Sequence, residues 1–266
     1  MLKHEFQPRA FGLAARGAGV SVGHNNRKGT AMKKLLTATG AFAFAALAFT
    51  SSSFAQHRSF ITSDAGFYYT VDGGATIPMD GNVTRFGSFS SGQKVDYGVG
   101  AGFDLAGGYA FNKYFAVEIQ TGWTWNPINS IEGALAVNDT SMSAVPFLAN
   151  AVVELPIPRT IVVPYLGAGV GGAFTVFDTD GYTRAVPGGT VSLYDSSSDF
   201  VFAWQAFAGV RFQLNDKMTL GVGYRYLYTG ASTFDYGSFF GGGPTLYLGL
   251  SSYQTHQASI TFQMKF

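Results

Sequence analysis

From Val95 to Phe111, alternate residues are mostly large and apolar, and the residues between them are small or charged. The odd positions are Val95, Tyr97, Val99, Ala101, Phe103, Leu105, Gly107, Tyr109 and Phe111, and the even positions are Asp96, Gly98, Gly100, Gly102, Asp104, Ala106, Gly108 and Ala110. Successive side chains of a β-strand point to opposite faces, so this alternation predicts one strand over residues 95–111. Such a strand is much longer than the usual length of about five or six residues.

The same alternation recurs in seven further segments, so we expect eight strands in all. The other seven are residues 65–77, 115–125, 143–155, 161–177, 199–214, 218–228 and 258–266. A soluble β-sandwich also alternates, with its bulky face turned inward. Here the minor face consists of glycine, alanine and scattered charges, and aromatic residues cluster at strand ends, which favours a barrel with its bulky face in lipid.

The connections between these strands alternate in length. Residues 112–113, 156–160 and 215–217 are short, whereas residues 78–94, 126–141, 178–198 and 230–252 are long and rich in Gly, Ser, Asp and Asn. Outer-membrane barrels have short periplasmic turns and long outer loops. Because every backbone polar group must be paired in lipid, the last strand should pair with the first. The sequence therefore predicts an all-β fold, an eight-stranded antiparallel up-and-down transmembrane β-barrel.

Three segments with different roles are expected along the chain. Residues 32–55 have two lysines, an apolar stretch and a small-residue cleavage site, which predicts a secretory signal peptide cut between Ala55 and Gln56. A single transmembrane anchor is the alternative. Residues 1–31 precede this complete signal and are interpreted as an N-terminal extension from a start codon assigned too early. Residues 56–266 form the barrel.

Composition excludes several classes of protein. The chain has no cysteine, which excludes a disulfide framework, a thiol nucleophile and a zinc-thiolate site. Past residue 55 no apolar run reaches the roughly 18 residues that a membrane helix needs. Removing residues 1–55 takes away seven basic residues and one acidic residue, which leaves ten basic and fifteen acidic residues and a net charge of −5. We therefore expect no nucleic-acid partner.

Seven charged residues occupy strand positions whose side chains are predicted to point into the barrel. They are Asp72, Asp104, Glu118, Glu154, Arg211, Arg225 and Lys265. An unpaired charge in a confined interior is costly, so mutual pairing is expected. The residues predict either a packed polar plug or a gate that rearranges to pass small solutes or ions, and the two interpretations are compatible.

Four stretches of the mature chain resemble the small outer-membrane β-barrel superfamily that contains OmpA-type, opacity-type and rhizobial-type barrels. They are residues 65–69, 111–118, 164–171 and 220–226. The resemblance implies the outer membrane of a Gram-negative bacterium, outer-membrane lipid and lipopolysaccharide as surroundings, and a monomer. It also implies that the end of the chain engages the barrel-assembly machinery, through Ile260, Phe262, Met264 and Phe266.

No constellation in the sequence predicts catalysis, a cofactor or a metal. The glycines of residues 167–172 satisfy a dinucleotide-binding pattern but lie inside a predicted strand rather than before a helix. His57 and His256 are the histidines of the mature chain, and neither has an evident set of catalytic partners, so His256 is interpreted as a solvated residue at the base of the fourth loop.

The fourth long loop is rich in aromatic residues. They are Phe234, Tyr236, Phe239, Phe240 and Tyr247. They are expected either to contact a host surface, a polysaccharide or a neighbouring barrel, or to prolong the flanking strands. From these features we expect a structural or surface-interaction role with four extracellular loops. A small porin-like channel is the alternative, and an outer-membrane enzyme is disfavoured.

Overall fold

The computed structural model describes residues 20–21, 65–87, 89–186, 189–238 and 245–266. The strands are β1 (Val20–Ser21), β2 (Gly66–Pro78), β3 (Gly81–Phe86), β4 (Phe89–Tyr97), β5 (Gly100–Ala110), β6 (Phe115–Ile131), β7 (Ala134–Asn138), β8 (Ser141–Glu154), β9 (Val162–Val186), β10 (Gly189–Gln213), β11 (Met218–Thr229), β12 (Ser232–Ser238), β13 (Thr245–Leu250) and β14 (Tyr253–Lys265). The predicted signal peptide, its cleavage site at Ala55 and Gln56, and His57 lie outside the described residues. So does the predicted N-terminal extension, except for β1, which pairs in parallel with β10.

Eight of the strands form a closed antiparallel ring. Its order is β2, β5, β6, β8, β9, β10, β11 and β14. β14 then pairs with β2 from Thr255 opposite Pro78 to Lys265 opposite Tyr68, which closes the barrel. This arrangement confirms the predicted all-β fold, the strand number and the pairing of the last strand with the first. In the described ranges no helix is long and apolar enough to cross a membrane.

As predicted, the side chains on the inner face of the barrel wall are polar and those on its outer face are apolar. On β6, Glu118 points into the lumen and is 5% exposed, whereas its neighbour Ile119 points outward and is 77% exposed. The alternation runs through the other barrel strands, so the outer surface is apolar and the lumen is polar. The three short connections, residues 111–114, 155–161 and 214–217, lie together at one end, which is the periplasmic end in barrels of this kind.

At the opposite end, the long connections fold into a single cap. β3, β4, β7, β12 and β13 lie in them, and β9 and β10 extend into the same region as strands of 25 residues each. The cap has its own apolar core. Its buried members are Val83, Phe86, Val95, Tyr97, Ile128, Ile131, Met142, Ala144, Phe177, Tyr182, Val191, Leu193, Phe234, Leu246, Leu248, Leu250 and Tyr253. All four connections contribute to this core, so the cap closes this end of the barrel.

One continuous strand over residues 95–111 was predicted, and this is wrong. β4 ends at Tyr97 and β5 begins at Gly100, and Val95 and Tyr97 are buried in the cap core rather than facing lipid. The break lies where the backbone N–H of Gly98 donates to the carbonyl oxygen of Pro127 at 2.7 Å. A Cβ at Gly98 would lie 2.8 Å from the Pro127 ring, so glycine permits this close approach.

The interpretation of the long connections as loops also needs correction. The predicted loop over residues 178–198 is mostly strand, and the last barrel strand begins at Tyr253 rather than at residue 258. His256 is therefore a strand residue on the outer face and not a solvated loop residue.

The aromatic residues of the fourth connection also behave differently from exposed contacts. Phe234 is completely buried in the cap core, and Tyr236 packs against that core and donates from its hydroxyl to the Phe177 carbonyl oxygen at 3.3 Å. Tyr247 packs under the Arg85 guanidinium, 5.3 Å from its ring centre. Phe239 and Phe240 lie outside the described residues. These aromatic residues lie in β12 and β13, two separate strands that pair with each other in the cap. They therefore do not prolong the flanking barrel strands β11 and β14, which was the second expectation.

Candidate functional site in the barrel lumen

Arg225 of β11 is the centre of the lumen. Its guanidinium forms ion pairs with Asp72 of β2, at 3.2 Å, and with Asp104 of β5. The same Asp104 carboxylate accepts hydrogen bonds from the amides of Gln120, at 3.0 Å, and Gln257, at 3.1 Å. Charge-assisted hydrogen bonds of this kind are stronger than neutral ones, and they tie five strands together across the interior.

Arg211 forms a second ion pair nearer the periplasmic end. Its Nη1 atom donates to Oε1 of Glu154 at 2.6 Å, and both side chains are largely buried. The guanidinium carbon lies 4.0 Å from the ring centre of Tyr165, which is a cation–π contact. The predicted mutual pairing of lumen charges is therefore found for five of the seven residues: Asp72 and Asp104 pair with Arg225, and Glu154 pairs with Arg211.

Glu118 belongs to none of the ion pairs found in the part of the chain that the structure describes. Its carboxylate accepts a hydrogen bond from the Tyr68 hydroxyl at 2.8 Å and a longer one from the Asn150 amide at 3.5 Å. Asn150 also donates to Gln120, and Gln205 donates to both Gln120 and Asn150 at 2.7 Å. Neutral amides and a phenol thus supply the partners of this buried carboxylate.

The network continues upward to the base of the cap. The Tyr253 hydroxyl donates to Oδ1 of Asn126 at 2.6 Å, and the Thr76 hydroxyl donates to the same oxygen at 3.1 Å. The Asn126 amide donates in turn to the carbonyl oxygens of Thr76 and Gly98. Hydrogen bonds and ion pairs between inward-facing side chains therefore occur from the base of the cap down to Glu154.

Glycines leave the space that these side chains fill. A Cβ at Gly209 or Gly223 would lie 2.6 Å from the Tyr165 hydroxyl oxygen, and one at Gly122 would overlap the Asp104 carboxylate. A cavity of about 10 Å³ lies between Asp72, Glu118 and the two arginines. That is room for about one water molecule. The geometry matches the predicted packed polar plug.

Lys265, the seventh predicted lumen charge, lies at the periplasmic end of β14. Its side chain is half-buried, and no ion pair found among the described residues includes it. The predicted assembly signal lies at the same end of the chain, at alternate positions whose side chains face outward. Its four residues are Ile260, Phe262, Met264 and Phe266. Phe266 is 57% exposed, and its ring lies 5.7 Å from that of Tyr69. Their role in assembly stays a prediction.

His256 lies on the outer face, away from the lumen. Its Nδ1 atom is 2.6 Å from the Tyr224 hydroxyl, and its ring stacks on that of Tyr224 and is tilted against that of Tyr226. Ser259, which is close in sequence, points the other way. In the part of the chain that the structure describes, no group of three or more His, Asp or Glu side chains could hold a metal ion.

Sequence reasoning singled out the charges and missed the neutral members of the lumen network. Tyr68, Asn126, Asn150, Gln205, Gln257 and Tyr253 hold the carboxylates or each other. Most of them could have been found from their positions in the strands, because alternate residues of a strand face the lumen and each of these side chains is on that inward face. The partners themselves depend on which strands face each other across the lumen, and alternation carries no such information.

Comparisons with known proteins agree with this architecture. An uncharacterized protein of Brucella suis is 34% identical to this chain over 147 residues, which are 48% of this chain and 51% of that protein. The chain thus spans about half the length of the curated relatives it matches. The crystal structure of OprG from Pseudomonas aeruginosa aligns with a TM-score of 0.50 at 12% identity, covering 75% of this chain and 96% of that one.

A second solved structure, that of Neisserial surface protein A, aligns with a TM-score of 0.46 at 18% identity and covers 76% of this chain and 99% of that one. The model of the outer membrane protein beta-barrel domain matches residues 35–266, which is most of the sequence. The chain therefore belongs to the family of outer membrane protein beta-barrel domains and is a protein of the bacterial outer membrane.

Proposed function

We propose that this protein is a closed, monomeric barrel that acts at the cell surface through the outside of its folded cap. The observation that carries the proposal is the filled lumen, in which three carboxylates pair with Arg225 and Arg211 and the cavity beside these arginines has a volume of about 10 Å³. An eight-stranded barrel has an interior just wide enough for side chains to fill. A structure of this kind supports a role that does not require transport.

The cap supports the same proposal because it is a folded surface rather than a set of free loops. Phe177, Phe234 and Met142 are completely buried in its core, and they come from three different connections or strand extensions. A rigid surface loses less conformational entropy on binding than flexible loops would. The cap is therefore suited to present a defined surface to a ligand.

The charge of the cap favours a cationic ligand. Residues 79–99, 127–140, 178–199 and 230–252 contain nine carboxylates against three basic residues, a net charge of −6. Complementary potentials accelerate encounter and select partners by charge. We propose a basic protein or surface polymer as the class of partner, and no catalytic role.

A gated channel is the second candidate, and one observation favours it. Four carboxylates and two arginines lie in the lumen, and no ion pair found among the described residues includes Glu118. If the Arg225 pairs rearranged, the negative lumen would favour cations.

Single-channel conductance of the refolded protein in a planar bilayer separates the two candidates, with folding confirmed by a heat-dependent gel shift. The closed barrel predicts a silent membrane. Discrete openings that change when Arg211 or Arg225 is neutralised would replace this proposal by the channel.

The surface role is tested by the retention of cells that display the protein on polylysine-coated and heparin-coated beads. We expect retention on polylysine that weakens with salt and falls when Asp80, Asp180 and Asp235, all exposed, are changed to Asn. Asp216→Asn in a periplasmic turn is the matched control. Equal retention of displaying and non-displaying cells would refute the surface proposal.

A further inference from the structure

Three buried polar atoms in the lumen have no hydrogen-bond partner among the described residues. They are Nε of Arg211 on β10, Nε of Arg225 on β11 and Oγ1 of Thr70 on β2. The ion pairs of the two arginines are made through their Nη atoms. Each guanidinium is therefore neutralised at its end, while its Nε–H group is left without an acceptor from the described chain.

Such groups are costly inside a protein. A buried donor without an acceptor loses its hydrogen bond to water and gains nothing in return, and the penalty is larger when the group is charged. Buried polar groups in folded proteins are therefore almost always paired, either with the chain or with an ordered water molecule or ion. The two Nε–H groups need an acceptor that the described residues do not supply.

The three atoms belong to residues that line the same cavity, the one of about 10 Å³ in the middle of the lumen. Gly223 on β11 and Ser259 on β14 are partners in the sheet and form another part of its wall. A Cβ at Gly223 would lie 3.3 Å from Oγ of Ser259, so small residues on these two strands keep the space open. The cavity has room for about one water-sized group.

The chemistry of the wall selects an occupant that both accepts and donates hydrogen bonds. Two Nε–H groups require an acceptor, and a metal cation beside two guanidiniums cannot provide one. An anion is disfavoured because Asp72 and Glu118 line the same cavity and because the four lumen carboxylates outnumber the two arginines. A water molecule accepts and donates, and buried waters make about three hydrogen bonds.

Acceptors for the protons of such a water are present in the wall. Glu118 receives one short hydrogen bond, from Tyr68 at 2.8 Å, and one long one, from Asn150 at 3.5 Å. An ionised carboxylate offers about four acceptor positions, so Glu118 can accept a further bond. The hydroxyl of Thr70 can accept as well as donate.

We propose that this cavity is the binding site of a single water molecule. The water accepts from Nε–H of Arg211 and from Nε–H of Arg225, and it donates to the Glu118 carboxylate and to Oγ1 of Thr70. It joins the ion pairs of the two arginines and the Glu118 carboxylate into one network. The water thereby lets this narrow barrel keep two arginines in its interior.

The sign of one change in stability tests the contact with Thr70. Thr70→Val keeps the branched shape of the side chain and removes its hydroxyl. With the water bound, this variant loses a hydrogen bond, so we expect the equilibrium constant for unfolding in lipid vesicles to rise by about threefold to tenfold. Without the water, the variant removes a hydroxyl that has no partner, and the constant would stay unchanged or fall. That result would overturn the contact.

Thr121 on β6 provides the matched control. Its hydroxyl oxygen is also buried without a hydrogen-bond partner among the described residues, but Thr121 does not line the cavity and lies between the outward residues Ile119 and Trp123. Thr121→Val should leave the unfolding constant unchanged or lower it. An equal rise in both variants would show a general effect of removing a threonine hydroxyl and would overturn the use of Thr70 as evidence for the water. The heat-dependent gel shift checks folding in each variant.

A high-resolution crystal structure of the protein, from crystals grown in bromide, identifies the occupant directly. We expect one water peak within about 3.2 Å of Nε of both Arg211 and Arg225. An anomalous bromine signal at this position would assign the site to an anion and overturn the proposal. A cavity without a peak, with both Nε atoms bonded to acceptors of the chain, would overturn it as well.

Discussion

The guanidinium of Arg211 on β10 donates to the carboxylate of Glu154 on β8 at 2.6 Å, although these strands are not neighbours. β9 lies between them, and its Tyr165 ring packs against the guanidinium. Side chains in this narrow lumen can therefore pair over an intervening strand. The barrel wall is held by its backbone ladder and is also braced across its interior.

Replacing Arg225 should destabilise the barrel most strongly among single lumen changes. Arg225→Met leaves the carboxylates of Asp72 and Asp104 buried without a cation, and loss of one partner of a buried pair costs about 3–5 kcal/mol. Urea unfolding of the refolded protein in lipid vesicles measures the change.

The triple variant Arg225→Met, Asp72→Asn, Asp104→Asn removes both the cation and the charges that it neutralises. It should recover a large part of the lost stability. Lys217→Met, in an exposed periplasmic turn, is the control and should change the free energy of unfolding by less than about 0.5 kcal/mol. A stable single Arg225→Met variant would show that the ion pairs do not brace the lumen.

A charge on the lipid face should also destabilise the barrel. Val222 points outward, is 57% exposed and pairs with Val210 and Ile260. Val222→Arg places a guanidinium in the apolar band and should cost about 2–4 kcal/mol near the midplane. Asn82→Arg, exposed in the cap, is the matched control. Wild-type stability of Val222→Arg in bilayers would contradict the outward placement of this residue.

The cap should loosen independently of the barrel when its core is opened. Phe177 is completely buried, and its ring lies 5.8 Å from that of Phe234. Truncation of a buried phenylalanine to alanine costs about 3–5 kcal/mol. We expect Phe177→Ala to make the long connections sensitive to added protease while the heat-dependent gel shift of the barrel persists. Leu135→Ala removes a side chain that is 60% exposed and should leave cleavage unchanged.

The sequence was sufficient to predict the barrel wall and insufficient to predict the cap. Within the wall, one face meets lipid and the other meets the lumen, so alternation specifies the direction of residues such as Glu118 and Ile119. In the cap, strands pack on a shared apolar core, and alternation alone cannot tell this core from lipid. Val95 and Tyr97 continue the series of alternate apolar residues that includes Phe103, so the sequence predicts that they face lipid. In the structure they are buried in the cap core.

The same limit applies to the lumen. Parity predicted that Asp104 and Arg225 point inward, but β5 and β11 are separated in the sheet by β2 and β14. Their pairing across the interior depends on the register of all the intervening strands, and on glycines that leave space beside them. A single sequence does not encode that register in any local pattern.

The cap should be more stable in acid than at neutral pH. Burial raises the pKa of the Asp178 carboxyl, and the nearby carboxylates of Asp180 and Asp195 raise it further. The folded cap therefore binds a proton at Asp178 more tightly than the unfolded chain does. The resulting stabilisation of the folded cap is complete below the ordinary aspartate pKa of about 3.9, and it is lost as the pH rises through the raised pKa of Asp178.

Hydrogen exchange of the Phe177 amide, corrected for the intrinsic dependence on pH, measures this effect between about pH 4 and pH 7. Protection should decrease toward pH 7 in the parent protein and change less in Asp178→Asn. Asp216→Asn in the periplasmic turn should behave as the parent does. Greater protection at pH 7 than at pH 4 would reverse the expected sign and exclude Asp178 as the cause.

Deletion of Phe266 should impair assembly more than it impairs the folded barrel. The Phe266 ring is 57% exposed, and its backbone N–H donates to the Phe67 carbonyl oxygen at 3.0 Å, so few folded-state contacts are lost. If the end of β14 is read by the barrel-assembly machinery, the amount in the outer membrane should fall several-fold while refolding into detergent is unchanged. Phe111→Ala, a 54% exposed aromatic residue at the same rim, is the control and should assemble normally. Normal outer-membrane levels after the deletion, measured by fractionation and gel shift, would argue that Phe266 is a girdle residue and not part of an assembly signal.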